Sequence, residues 1–485
     1  MRDINDKQMD HFVSRPPAQL RIGFLPFYVD YYEGICADFP REKMAVARRC
    51  AQALESYGTV VWDQQLIKSA DSAAAAGRAL ARGGIDVAVV VTTIAVFASI
   101  PWAALRELSA APILIWNVQQ IESVTQGYSM VEIVRNTGQI GTQALANTLL
   151  REGRPFKVVT GVEHSAQMRE RLRRLFGVVR TALALRSARL LAVGEGFPGM
   201  TDIAMDESYL SKHLGASVQR ISSAELTRAY VTADSGRVGR EQEELSLASG
   251  VRDLTADEME RSVRLSVALQ SLVDEHGADA GSVNCHMGNC LRNLEIGIAA
   301  CYSLGVQNSR GRPFTCTGDL PTALAMLLLK NLTGVAMYTE VQVMDEKRQA
   351  VVIANSGEGE EQIRHAGARC RVIGNTNFKG VHGRGASFVY SLKPGPATLV
   401  SLTPTPNGTK PFRVIVAEGE ILDEPLPDAG ALAGFFRFRG TTLHDGYTRW
   451  LEAGPVHHAA TSTGHWAAKI RDVGEMLNFE FVGVN

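Results

Sequence analysis

The first third of the chain alternates short apolar runs with segments in which apolar residues recur at helical spacing. Strand-like runs lie at Leu20–Pro26, Val60–Trp62, Asp86–Thr92 and Pro112–Asn117, and helical patterns lie at Arg41–Tyr57 and Ser69–Ala81. Strands that alternate with helices predict a parallel sheet covered by helices on both faces. Ligands of such sheets gather beyond the carboxyl ends of the strands, where Thr92 and Asn117 stand.

A second region repeats this alternation. Its strand-like runs are Phe156–Gly161, Ala188–Gly194 and Ala280–Cys285, and its helical patterns are His164–Leu185, Thr255–His276 and Leu291–Leu304. Gly194, Gly196 and Gly199 have the G-x-G-x-x-G spacing of dinucleotide-binding turns. Pro198 lies inside this pattern, and Ser222 and its neighbour offer no acid that would bind a ribose. A nucleotide-binding oxidoreductase is therefore the weakest of the functions considered.

The last third of the chain changes character. After a helical pattern from Asp319 to Leu332, strand-like runs punctuated by Gly and Pro lie at Val335–Met344, Gln349–Ala354, Arg369–Gly374, Ser387–Ser391, Ala397–Thr403 and Phe412–Glu420. This pattern predicts an antiparallel barrel or sandwich. Two further helices are predicted near Gly446–Gly454 and His465–Leu477.

The predicted fold class is α/β, with two Rossmann-like α/β domains followed by a mainly antiparallel, β-barrel-like C-terminal domain. The corresponding boundaries are residues 1–160, 161–312 and 313–485. A chain of 485 residues is too long for a single core, which agrees with three domains.

Composition narrows the choice of partners and compartment. The formal net charge is −1 and no basic stripe stands out, so nucleic acid is an unexpected partner. The polar N-terminus lacks the apolar core of a signal peptide, and no apolar run is long enough to span a membrane. Seven widely spaced cysteines argue against a disulfide framework. We therefore expect a cytoplasmic protein that does not associate with membranes.

Three of the eleven histidines, His457, His458 and His465, fall within nine residues near the C-terminus. They lie in a predicted loop between a helix and an apolar segment. Neutral imidazole is the commonest protein ligand of divalent metals. Composition alone favours surface or core histidines at such a place, so the metal hypothesis depends on the rest of the chain.

Several segments, taken in order, resemble the superfamily of L-fucose isomerase and L-arabinose isomerase. They are Asn136-Thr-Gly-Gln-Ile to Gly153-Arg-Pro-Phe, Leu185-Arg-Ser-Ala-Arg-Leu-Leu-Ala-Val-Gly with Gly199-Met-Thr-Asp202, Ser282-Val-Asn-Cys, Cys301-Tyr-Ser-Leu, Gly311-Arg-Pro-Phe-Thr-Cys-Thr-Gly-Asp319, Lys393-Pro-Gly-Pro-Ala-Thr-Leu-Val, Val416-Ala-Glu-Gly-Glu420, and His457-His458 with Gly464-His465. The resemblance covers most of the chain, and it depends on the order of these segments more than on any single one.

The resemblance implies metal-assisted isomerisation of a small-molecule carbohydrate. In the family, two acidic residues and a histidine hold a divalent metal, usually Mn²⁺, although Mg²⁺ also suits such ligands. The metal polarises the carbonyl of the sugar, and carboxylates exchange the proton between adjacent carbons. The family also implies a homo-oligomer in which neighbouring subunits share each active site.

Two metal ligands carry over directly, and two other family groups are missing. His458 falls on the metal-binding histidine, and Glu340 falls on or next to the second acidic ligand. The first acidic ligand is replaced by Thr317, and Asn355 stands where the arabinose-type branch has a second histidine. This loss favours a variant reaction, such as epimerisation or action on a modified sugar.

The remaining candidates keep alternative roles. Asp319 is predicted either as the N-cap of the following helix or as a catalytic carboxylate beside Glu340. His465 is predicted as a helix cap or a substrate contact. Gln119, with Thr317 and Asn355, is a predicted substrate-binding residue, and Gln119 would reach the sugar of a neighbouring subunit.

The leading hypothesis is a sugar isomerase or epimerase, and the alternative is a non-catalytic carbohydrate-binding protein of the same fold. The sequence names neither the sugar nor its modification. His457 is expected either to orient the loop or to donate a hydrogen bond to a neighbouring residue. His286 is expected to be a packed side chain, and the cysteines to be buried small residues.

Overall fold

The computed structural model describes residues 19–109, 111–247, 250–286, 288–367, 371–424, 426 and 430–485. The chain divides into two compact units between Leu183 and Ala184. The first unit holds one parallel sheet, and the second holds another parallel sheet and a barrel. The predicted domain boundaries at residues 160 and 312 stay predictions.

The first unit is a five-stranded parallel sheet in the order β2-β1-β3-β4-β5. Its strands are β1 (Leu20–Phe27), β2 (Gly58–Val61), β3 (Val87–Thr92), β4 (Ile113–Gln119) and β5 (Phe156–Val162), and its helices are α1 (Phe39–Leu54), α2 (Ala70–Arg82), α3 (Ser99–Leu105), α4 (Met130–Arg135) and α5 (Gly138–Arg151), followed by α6 (Ala166–Arg186). All residues of β3 are buried, as expected of a strand with helices on both faces.

The second unit begins with a four-stranded parallel sheet in the order β10-β9-β6-β7. Its strands are β6 (Arg189–Val193), β7 (Ser217–Ile221), β9 (Ala280–Val283) and β10 (Phe314–Cys316), and the helices of this region are α7 (Glu207–His213), α8 (Ser223–Val231), α9 (Ser235–Leu247), α10 (Ala256–His276), α11 (Cys301–Ser309) and α12 (Leu320–Thr333). A small sheet joins β8 (Val251–Arg252), β13 (Arg371–Gly374) and β14 (Ala386–Val389).

The helix predicted from Leu291 to Leu304 is wrong over most of its length, because α11 begins only at Cys301. The Asn293 side chain accepts hydrogen bonds from the backbone N–H groups of Glu295 and Ile296, which stabilises a turn at the expense of helix. Gly297 then adopts a left-handed φ of 60°. The spacing of apolar residues indicates neither the Asn293 turn nor the left-handed conformation of Gly297.

The second unit ends in a closed antiparallel barrel of six strands. They are β11 (Met337–Asp345), β12 (Ala350–Asn355), β15 (Gly395–Pro404), β16 (Phe412–Ile421), β17 (Leu432–Phe438) and β18 (His458–Thr463), with β19 (Glu480–Gly483) parallel to β16 and the helices α13 (Leu443–Glu452) and α14 (Ala467–Met476) outside the ring. Pairing of β15 with both β16 and β18 closes the ring. The predicted fold class, two parallel-sheet regions followed by an antiparallel barrel, is confirmed.

Three short 3₁₀ helices complete the described elements, at Asp30–Tyr32, Thr201–Ile203 and Glu361–Ile363. Among the described residues, no helix has both the length and the apolar character that crossing a bilayer requires.

Candidate functional site

The site is built where the last strand of the parallel sheet meets the barrel. Strand β10 ends at Cys316, and a short turn leads to Asp319, the N-cap of α12. One carboxylate oxygen of Asp319 accepts a hydrogen bond from Thr322 N at 2.8 Å. This capping bond fixes the carboxylate at the start of a helix and leaves its second oxygen for another partner.

His458 is that partner. The structure makes His458 the first residue of β18, so the loop predicted around it is wrong at this position. Pairing of β18 with β11 places Glu340 directly opposite His458. His458 Nδ1–H donates to Asp319 Oδ2 at 2.7 Å, and both side chains are almost fully buried. His458 Nε2 lies 3.5 Å from Glu340 Oε1.

This arrangement sets the charge of both groups. Burial lowers the pKa of His458, but the carboxylates of Asp319 and Glu340 outweigh it and raise the pKa to about 9. Burial raises the pKa of Glu340, yet hydrogen bonds from His458 and Tyr338 outweigh it, and the pKa falls below its usual value. Tyr338 OH donates to Glu340 Oε1 at 2.9 Å, and Gln342 Nε2 donates to Oε2 at 2.5 Å.

The donor set fits a divalent metal. Two atoms that bind one ion at about 2.1 Å lie no more than about 4 Å apart, so the 3.5 Å between His458 Nε2 and Glu340 Oε1 permits a shared ion. When a metal displaces the proton from Nε2, the hydrogen bond from Nδ1–H to Asp319 keeps the tautomer whose Nε2 lone pair is available to the ion. Metal-binding histidines commonly donate their other ring N–H to such a carboxylate.

Thr317 occupies the turn between β10 and α12. It is buried, and its φ of 59° is a left-handed conformation that β-branched residues rarely adopt. Its hydroxyl donates to Cys316 O at 2.8 Å. Strain of this kind concentrates at functional sites, although the hydroxyl supplies no carboxylate chemistry.

Asn355 ends β12, and within the described part of the chain its amide forms hydrogen bonds with backbone atoms. Nδ2 donates to Tyr338 O at 2.7 Å and to Glu358 O at 3.2 Å, while Oδ1 accepts from Gly357 N and Glu358 N. These bonds clamp the turn that follows β12 onto β11. A substrate contact through Asn355 stays a prediction.

The other two predicted substrate contacts lie on different elements. His465 Nε2–H donates to Gly419 O at 3.0 Å, and Nδ1 lies 3.3 Å from Arg439 Nη1, so both ring nitrogens have partners on the barrel. Gln119 ends β4 in the first unit, where its Oε1 accepts from Gln139 Nε2 at 3.0 Å. The predicted roles of both residues remain predictions.

Two acidic residues near the site escaped the sequence analysis. Asp202, in the 3₁₀ helix that follows β6, accepts from both the backbone N–H and the ring Nδ1–H of His457, at 2.9 and 2.6 Å. Glu358, in the turn after β12, is buried beside the Cys301 thiol. The available signals were the resemblance of the segment Gly199–Asp202 to the family and a glutamate flanked by two glycines.

A second cluster of possible ligands lies at the carboxyl ends of β9 and β10. Among the described residues, Cys285, His286 and Cys316 have ligand atoms that all lie within 4.8 Å of one another. The Cys285 thiol and burial raise the pKa of Cys316 well above its usual value, which opposes the thiolate form that metals need. The ring of His286 packs edge-on against Phe197 and Phe378. Protonated thiols and a packed imidazole ring account for this cluster.

Comparison with known proteins supports the family resemblance. Residues 335–480 match the L-arabinose isomerase C-terminal domain, and this range contains both Glu340 and His458. The resemblance predicted from the sequence is confirmed.

Relatives extend the similarity to most of the chain. The chain is 25% identical over 396 residues to the sulfoquinovose isomerase of Alkalicoccus urumqiensis, which covers 77% of this chain and 80% of the relative. It is also 23% identical over 377 residues to the sulfoquinovose isomerases of Priestia aryabhattai and Priestia megaterium. Each of these alignments covers 76% of this chain and 79% of the relative. These similarities support a sugar isomerase function and a small-molecule carbohydrate as substrate.

Proposed function

We propose that the protein is a divalent-metal-dependent isomerase that interconverts an aldose and a ketose. The observation that supports this most strongly is the Asp319–His458–Glu340 chain, in which a buried carboxylate orients a buried imidazole towards a partly exposed carboxylate. A sugar isomerase needs such a site, because it must move a proton between adjacent carbons while it stabilises the resulting ene-diolate.

In this proposal Glu340 and His458 hold Mn²⁺ or Mg²⁺, and Asp319 positions His458. The metal would polarise the substrate carbonyl and stabilise negative charge on the neighbouring oxygens. Glu340 lies at the edge of the site with its carboxylate partly exposed and its pKa lowered, so it is ionised at neutral pH and suited to accept a proton from a sugar carbon. Tyr338 and Gln342 hold this carboxylate in place.

We further propose sulfoquinovose as the substrate, since relatives that match most of the chain are sulfoquinovose isomerases. Thr317, in place of the acid that the wider family carries, supports a modified sugar over L-fucose or L-arabinose. The test is incubation of the purified protein and Mn²⁺ with sulfoquinovose, L-fucose and L-arabinose, with the products followed by ¹³C NMR. We expect an isomeric product from sulfoquinovose, and none with Glu340→Gln.

The second candidate function is carbohydrate binding without catalysis, and the threonine at position 317 is the observation that favours it. The same samples separate the two functions. Saturable binding of a sugar in calorimetry, with no isomer formed over many hours, would support the binding protein and contradict the enzyme.

We also propose a homo-oligomer whose subunits share active sites, with Gln119 as the contribution from a neighbouring subunit. The support is the family resemblance together with the polar network at the end of β4, where Asn117, Gln119 and Gln139 are linked by hydrogen bonds. Light scattering that gives the mass of a single chain at every concentration would contradict this. A Gln119→Ala variant with an unchanged KM would contradict the shared site alone.

A further inference from the structure

Glu358 is a buried carboxyl group with an incomplete set of partners. It is 1% exposed, and its Oε2 has no hydrogen-bond partner among the described residues. A buried polar atom without a partner costs free energy, and native structures keep few of them. The carboxyl group at position 358 therefore calls for a reason other than packing.

The turn that carries Glu358 is held in one conformation. Asn355 bonds to the backbone of both Gly357 and Glu358. Gly357 has a φ of 119°, and a side chain there would collide with Ser387. On the other side, a side chain in place of Gly305 would come within 2.6 Å of Gly359 N. The closely packed turn thus holds the Glu358 side chain in the interior.

Hydrogen bonds tie this turn to the site. Asn355 ties the turn to the backbone of Tyr338, whose hydroxyl donates to Glu340. Asn355 Nδ2 also donates to Glu358 O at 3.2 Å, and Ala354 beside it pairs with Glu340 across the sheet. The turn that carries Glu358 therefore lies at the end of β12, next to the strand that carries Glu340.

Glu360, two residues further on, is a buried glutamate whose carboxylate oxygens both have partners, and it serves as a comparison. It is fully buried, but Oε2 forms an ion pair with Lys330 and Oε1 accepts from Gln362 N. Both oxygens of Glu360 thus have partners. Among the described residues, no cation forms an ion pair with Glu358, and its Oε2 has no hydrogen-bond partner. The two neighbouring glutamates therefore differ in whether their buried oxygens are paired.

We infer that Glu358 is the second proton-transfer group of the site and takes the role that a carboxylate at position 317 would otherwise play. The inference rests on the proposed isomerase function. Binding of a sugar would place a substrate oxygen against Oε2 and supply the hydrogen bond that this oxygen lacks. Burial raises the pKa of Glu358, so its carboxyl group holds a proton more readily than that of an exposed glutamate.

The proton transfers balance as follows. Glu340 accepts the proton of C2, the electrons of the C2–H bond form the C1=C2 double bond, and the carboxyl group of Glu358 donates its proton to the carbonyl oxygen O1. In the second half, the Glu358 carboxylate accepts the proton of O2 as the C2=O2 bond forms, and Glu340 returns its proton to C1. One proton has moved from C2 to C1 and one from O2 to O1, and both side chains regain their starting states.

The test is Glu358→Gln, which keeps the shape of a protonated glutamate but cannot give up its proton. We expect kcat to fall by about 10²–10⁴-fold, the typical loss of an acid–base group. KM and the affinity for Mn²⁺ in calorimetry should stay within about threefold, and the melting temperature should not fall. Glu360→Gln is the matched control, which should lower the melting temperature while the folded protein keeps its kcat.

The outcomes distinguish this inference from the proposed function. If the wild-type protein isomerises its sugar, Glu340→Gln does not, and Glu358→Gln does so at the wild-type rate, then the isomerase stands and Glu358 is only structural. If the wild-type protein converts none of the sugars, the proposed function fails and this inference fails with it. Should Glu358→Gln not fold, Glu358→Ala with added formate replaces it. Rescue of kcat by formate supports the inference, and folded protein without rescue contradicts it.

Discussion

Two neighbouring histidines are each held by an aspartate, and the two pairs differ mainly in burial. His458 and Asp319 are 2% and 0% exposed, while His457 and Asp202 are 42% and 41% exposed. The distances are nearly equal, 2.7 Å in the buried pair and 2.6 Å in the exposed pair. Similar hydrogen bonds therefore operate in two very different surroundings.

Burial is what makes one pair a metal site candidate and the other a surface contact. In the buried pair, Asp319 is fixed by a helix N-terminus and His458 by a strand, so Nε2 points at Glu340 without freedom to turn away. In the exposed pair, water screens the charges, and such contacts are worth about 0–1 kcal/mol. Short distance alone therefore does not identify the functional histidine.

The largest effect that separates the two pairs is expected from replacing each histidine in turn. His458→Gln should lower the affinity for Mn²⁺ by more than about 100-fold, because a metal ligand costs at least as much as an outer partner. His457→Gln should change it by less than about threefold. Isothermal calorimetry with MnCl₂ measures both, with circular dichroism to verify folding. Equal losses in the two variants would contradict the assignment of His458.

A smaller effect is expected from the aspartates. Asp319→Asn cannot hold the His458 ring as a carboxylate does, so the affinity for Mn²⁺ should fall by about 10–100-fold. Asp202→Asn is the matched control, since the same change is made beside an exposed histidine. Calorimetry that shows no loss for Asp319→Asn would mean that the helix cap is the only task of this residue.

The stability of the metal-free protein should depend on pH through the charge of His458 in the buried pair. The pKa of His458 is raised to about 9, above the value of about 6.5 in the unfolded chain, so its protonation stabilises the folded state below about pH 6.5. This contribution is lost as the pH rises from about 6.5 through 9, and it amounts to up to about 3 kcal/mol. When the pH is raised from 6 to 9.5, the melting temperature should fall more for the wild-type protein than for Asp319→Asn. Parallel curves would show that His458 is not charged at pH 6.

The features that could be predicted from the sequence are those that follow from a local residue pattern or from the order of segments shared with the family. The apolar run of β3 and the capping pattern at Asp319 are local, and both are present in the structure. The opposition of Glu340 and His458 follows from pairing of β11 with β18, and only the resemblance indicated that these two residues share a site. Asp202 and His457 are separated by 255 positions, so no local pattern reveals their contact. The burial of Glu358 depends on glycines whose packing partners lie on other elements.

The smallest effect is expected in the exposed pair itself. Asp202→Asn should lower the free energy of unfolding by no more than about 1 kcal/mol, because both side chains are partly solvated and the asparagine oxygen still accepts from His457 N. The remaining difference should shrink at 1 M salt, where charges are screened over about 3 Å. Thermal unfolding at low and high salt measures this, with Asp206→Asn as a control for a change of charge on the same segment. A loss of several kcal/mol that persists at high salt would show that Asp202 secures the turn after β6 to the barrel, and that exposure is a poor guide to the strength of this pair.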